Sequence, residues 1–330
     1  MKKFLTAFIL LVFFSDLKSQ NIFEQYSRLT GSLRYGEGSK DTIPNGNRGY
    51  TLILPEKNHL VSGTILMLED DKVDMQDTTR SQHIHIDKEA IPRGFAVLYI
   101  STGIPVDLYF SISSMRYVDS VLADVFNRYQ LPNRNIFLLG AMVSGHRALK
   151  YIEYCKTGMS KFNPNLTGVI VSESAIDWVR MWYEAQKQVR DNFTPTQNFE
   201  GHFLTYIFKE NLKTTPVNNI GEYIKFSPYS YFDIEMSKPK IYASLAIRAY
   251  TYADTRYWFS APGKGIFDSN YPDMSGFINE QKIAGNKKAE LIVFYSKAED
   301  PVKNEMRRQS LTWDLVDKTE LVNWMVSQSN

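Results

Sequence analysis
The chain has 330 residues, 43% of them hydrophobic and 14% aromatic, which is enough to bury a large core and excludes a disordered chain. Lys and Arg total 38 against 36 Asp and Glu, a formal net charge of +2. No basic run is present that would follow a phosphate backbone, so nucleic acid is not an expected partner.

The N-terminus reads as a targeting segment. Lys2 and Lys3 precede an apolar run from Phe4 to Phe14, and a polar stretch follows to Gln20. That is the pattern of a secretory signal peptide over residues 1–20. The run is too short for a permanent bilayer anchor, and no cysteine near the cleavage point accepts a lipid. The mature protein, 21–330, is therefore expected to be exported, periplasmic or secreted, with no stable membrane anchor. Cys155 is the only cysteine, which excludes an internal disulfide; its helical setting predicts a packed thiol.

In chain order, apolar runs predict strands over Tyr50–Leu54 and Thr64–Leu68, followed by the acidic loop Glu69, Asp70, Asp71 and Lys72. His83 and His85 then form an H-x-H pair with several aspartates close in sequence. The spacing matches neither a calcium loop nor an H-E-x-x-H zinc motif, so a solvated polar loop is expected, with no metal and no cofactor. A strand over Ala96–Ile100 and a helix over Met115–Tyr129 follow.

The segment from Asn135 to Leu149 reads as strand, very tight turn, then helix. Its setting is that of the nucleophile elbow G-x-S-x-G. Aligning on Gly140 puts Met142 at the nucleophile and Ser144 at the second small position. A thioether has no proton to lose and is a poor nucleophile toward carbonyls, so Met142 cannot replace a serine. Ser144 is the rescue candidate if the register shifts by two. The alternative is a small residue opening the helix Gly145–Cys155, where a serine can cap the first turn. His146, one turn in, is expected to pack.

A strand over Val169–Val171 leads into 175–237, where helical patterns (Ile176–Val189, Phe199–Phe208) contain no clear strand; this reads as a cap above the sheet. Its aromatics, Trp178 and Trp182 among them, with Tyr257 and Trp258 beyond, are candidates for a ligand pocket. Ordinary burial fits their spacing equally well. Strands over Ile241–Ile247 and Leu291–Phe294 and a helix over Thr319–Val326 complete the alternation. It predicts an α/β fold: a mainly parallel sheet with helices on both faces and a helical cap, in one domain.

Four segments together resemble the exported bacterial α/β-hydrolases of the esterase type. They are the elbow Ile136–Ile152, the strand and loop Val171–Asp177, the turn Tyr250–Asp254 with Arg256, Tyr257 and Trp258 behind it, and Trp313–Asp317 leading into Leu321–Trp324. The resemblance runs from about Tyr50 to Ser327. It implies the α/β-hydrolase fold and places the nucleophile, acid and base of that family at Met142, Asp254 and about Leu311. The base is missing whatever the alignment: the five histidines are residues 59, 83, 85, 146 and 202, and the fold's order Ser, Asp, His requires one after Asp254. The loop Glu69–Lys72 also puts carboxylates where backbone N–H groups would meet an oxyanion. The expectation is thus a protein without serine-hydrolase activity that binds a small molecule, a glycan or another exported protein. The alternative is a hydrolase rebuilt on Ser144 or on water activated by Glu69 or Asp254.

Overall fold
The apolar runs become strands because both of their faces are covered. In the computed structural model, which describes residues 21–56, 60–75, 85–253, 264–295 and 312–329, the chain builds one eight-stranded sheet and a small two-stranded one. The strands are β1 (Asn21–Arg28), β2 (Ser32–Arg34), β3 (Thr42–Pro44), β4 (Asn47–Leu54), β5 (Gly63–Glu69), β6 (Phe95–Thr102), β7 (Ile136–Ala141), β8 (Leu166–Ser172), β9 (Ala246–Tyr252) and β10 (Ala289–Phe294). Strand order in the large sheet is β1-β4-β6-β5-β7-β8-β9-β10. From β6 to β10 every neighbouring pair is parallel, whereas β1 and β4 run as antiparallel neighbours at one side.

Side-chain alternation divides the core. Along β5, Leu66 and Leu68 point to one face, where Val118, Leu122, Leu149, Ile152 and Phe277 pack. Ile65 and Met67 point to the other, against Ile86, Ala90, Leu321, Val322 and Met325. The first face is covered by α2 (Ile112–Arg128), α3 (Val143–Lys156) and α8 (Tyr271–Ile283); the second by the short α1 (Asp87–Ala90) and by α9 (Lys318–Gln328). Each fully buried aliphatic or aromatic side chain contributes about 1.5–3 kcal/mol of transfer free energy, and this period-two sorting is what fixes the strand register.

Between β8 and β9 lie α4 (Trp178–Asp191), α5 (Pro195–Leu212), α6 (Ile220–Phe226) and the single turn α7 (Pro239–Tyr242). Asp177 caps α4 by accepting from the N–H groups of Val179 and Arg180, and Thr194 caps α5 with Pro195 in its first turn. These helices share a third cluster, built on Trp178, Trp182, Leu204, Phe208, Tyr223 and Phe226.

Some segments differ from the sequence reading. The strand expected over Ile241–Ile247 starts at Ala246, because Pro239 opens a helical turn in which Tyr242 is fully buried. An apolar run alone does not distinguish a buried turn from a strand. β1 and α8 carry weak apolar periodicity and were not expected. Cys155 is buried, and burial pushes its thiol up to about 12, so it is inert as a nucleophile.

Candidate functional site
β7 ends at Ala141 and α3 begins at Val143, so the chain must reverse at Met142. It does so with φ 53° and ψ −121°, a region disfavoured for any residue with a Cβ. Such a conformation costs on the order of 1–3 kcal/mol and persists only where its surroundings enforce it. The surroundings here are tight. A Cβ on Gly140 would lie 2.4 Å from backbone atoms of Ser144 and Gly145, and one on Gly145 would lie 1.9 Å from Ser174 Oγ. Met142 N–H donates to the Ser172 carbonyl at 2.8 Å, which ties the turn to β8. The elbow geometry is thus intact, with a partly exposed methionine at its apex.

Glu69 closes β5 next to this turn. Ser144 Oγ donates to its Oε2 at 2.9 Å, and burial raises the carboxyl to about 7 against the opposing pull of Arg147. Arg147, 2% exposed, donates to the carbonyls of Asp107 (2.5 Å) and Leu68 (3.3 Å) and to Ser144 Oγ (3.3 Å). Its Nη2 lies 3.3 Å from Asp70, which in turn accepts from Val106 N–H at 3.1 Å. Asp71 accepts from the N–H groups of Asn47 and Lys72. The acidic loop therefore fastens neighbouring backbone. Ser144 stands in the first turn of α3, and its hydroxyl bonds the Glu69 carboxyl and the Arg147 guanidinium.

His146 is fully buried. The indole N–H of Trp178 donates to its Nδ1 at 2.9 Å, and its Nε2 lies 3.0 Å from the Leu108 carbonyl. An indole only donates and a carbonyl only accepts, so Nε2 carries the single proton. Burial, reinforced by Lys150, holds the ring well below the usual histidine range. It is neutral and has no free lone pair with which to act as a base. Trp178 and Trp182 are 2% and 4% exposed and lie within the cap's own core, where their rings meet Phe208 and Tyr223.

Glu173 was not singled out by sequence. It follows β8 directly with φ 47°; its carboxylate accepts from the N–H of Tyr252 and from Thr312 Oγ1, and burial raises it to about 7. An acidic residue straight after the apolar end of a parallel strand was the available signal. Asp254, Tyr257, Trp258, Leu311 and His83 lie outside the described residues. His85 precedes α1 without forming a strand, 3.9 Å from Asp87. It borders a cavity of about 780 Å³ over β1 and β4 whose walls include neither Met142 nor the two tryptophans. Among the described residues no group of three or more His, Cys, Asp or Glu is placed to hold a metal.

No protein-family model matches the chain, and no curated protein matches it by sequence. Solved structures do. A carboxyl esterase from the fungus Tuber melanosporum superposes with a TM-score of 0.51 over 98% of this chain and 90% of its own, at 13% identity. An acylaminoacyl peptidase from Pyrococcus horikoshii gives 0.51 over 98% of this chain and 44% of its own, at 11% identity. The chain has the α/β-hydrolase fold. In that fold the strand-to-helix turn carries the nucleophile above the carboxyl end of the sheet, and Met142 stands at that turn here. Identities this low speak to the fold alone.

Proposed function
We propose that this chain is an exported α/β-hydrolase-fold protein that has left serine hydrolysis and serves in binding. The observation that carries this reading is Met142, held at the apex of an elbow whose strained backbone is kept while its nucleophile is gone. Two further features support it: His146 is locked as a neutral ring, and no histidine follows residue 202. The burial of Trp178 and Trp182 favours a glycan or protein met at the surface over a small molecule enclosed by the cap. Export rests on Lys2, Lys3 and the apolar run Phe4–Phe14. Among the described residues no helix is long and apolar enough to cross a membrane.

The bond between Ser144 and Glu69 favours one second reading, in which a carboxyl near 7 activates that hydroxyl or a water. Turnover of short-chain esters separates the two. The binding reading expects rates at the buffer background. Turnover abolished by both Ser144→Ala and Glu69→Gln would establish the second. N-terminal sequencing of the protein recovered from the periplasm or medium tests export, with loss of about the first twenty residues expected.

A further inference from the structure
We propose that the outer edge of β1 pairs antiparallel with the same edge of a second copy of this chain, about a twofold axis through Tyr26. β1 is the last strand on its side of the sheet, and among the described residues β4 is its one strand neighbour. It runs for eight residues without proline or glycine, NIFEQYSR. Ile22 and Phe23 are 51% and 37% exposed. A strand of this length with an open edge is a template for pairing unless its charges repel the partner.

The charges here select a register instead of blocking one. Side chains and backbone bonding groups both alternate along a strand, so two copies form a regular antiparallel ladder only if residues of like parity oppose. The twofold axis must then pass through a residue. An axis through Glu24 sets two carboxylates against each other. One through Gln25 opposes Glu24 to the partner's Tyr26 and leaves Arg28 against the partner's Ile22. An axis through Tyr26 opposes Glu24 to the partner's Arg28, and by symmetry does so twice. Both lie on the face that carries the Tyr26 bond to Thr51 and the Lys72 bond to Glu24. Lys72 Nζ, 2.7 Å from Glu24 Oε2, holds that carboxylate in place on the strand. The edge is short, so the association is weak, on the order of micromolar.

Sedimentation equilibrium of the purified chain and its charge swaps tests this. The wild type is expected to dimerise with rising concentration. Glu24→Arg alone and Arg28→Glu alone should each weaken the dimer about tenfold or more. An equimolar mixture of the two single variants should associate again, because each then opposes its mutated residue with an opposite charge. The double swap should do likewise. Circular dichroism confirms that each variant is folded, and the mixture carries the test even if the double swap is unstable. A wild type monomeric at every concentration, single swaps that dimerise as the wild type does, or a mixture that stays apart would each overturn the proposal.

Discussion

Across the strand-to-helix turn, Ser144 donates a 2.9 Å hydrogen bond to Glu69, so the hydroxyl two residues past the apex is committed to a half-buried carboxyl. The same hydroxyl accepts from Arg147. Its single proton and one of its two lone pairs are therefore used inside the protein, and a substrate carbonyl would have to compete with Glu69 for the O–H. This arrangement explains how an acidic residue is tolerated at the end of β5.

Glu69 gives the first prediction. Its carboxyl titrates near 7 when folded, above its value of 4.5 in the unfolded chain. A raised folded value means that stability is fully present below about 4.5 and is lost as pH rises through about 7. Glu69→Gln removes that loss. The gain in Tm of Glu69→Gln over the wild type should be larger at pH 8 than at pH 5 by differential scanning calorimetry. An equal difference at both values would show that the carboxyl is not raised.

The elbow gives the second. At Gly140 an added Cβ meets backbone atoms, whereas at Gly145 it meets the Ser174 hydroxyl, which can rotate, with Ser174 Cβ at 2.9 Å behind it. Gly140→Ala should therefore destabilise the protein more, by about 3 kcal/mol against about 1–2 kcal/mol for Gly145→Ala. Urea midpoints at constant m-value measure both.

His146 gives the third. Its Nε2–H tautomer should appear directly in nitrogen-15 correlation spectra, with no titration between pH 8 and 5, since burial depresses its proton affinity. Trp178→Phe removes the donor to Nδ1 and should cost about 1–3 kcal/mol by leaving a buried acceptor unmet. A ring that titrates near 6.5 would contradict the assignment.

Met142→Ser gives the fourth. Restoring a serine to an intact elbow should not restore esterase turnover, because the histidine base of the serine mechanism is missing: His146 has both ring nitrogens engaged, and no histidine follows residue 202. Steady-state assay with a p-nitrophenyl ester checks this, and rates above those of the parent would contradict it.

Much of the fold was legible because burial on both faces leaves a strong mark. Ile65 to Leu68 and Phe95 to Ile100 are apolar without interruption and became β5 and β6. Where burial is one-sided or shared, the mark fades. β1 is held by backbone pairing to β4 while most of its side chains stay exposed, and a run such as Ile241–Tyr242 buries equally well in a turn. The elbow was legible from Gly140 and Gly145 because their small size is a backbone requirement. The partnership of Ser144 with Glu69 was not, since residues 75 apart in sequence meet only through the order of β5 and β7 in the sheet. Glu173 was passed over for the same reason: its partners, Tyr252 and Thr312, are distant in the chain.

The most direct test of the central claim is intact-mass spectrometry after exposure to a fluorophosphonate, which reports any activated serine whatever its position. The loss of the serine mechanism predicts an unmodified mass after prolonged incubation, with Ser144 unlabelled in the peptide map. A stoichiometric phosphonyl adduct, on Ser144 or on any other serine, would contradict it.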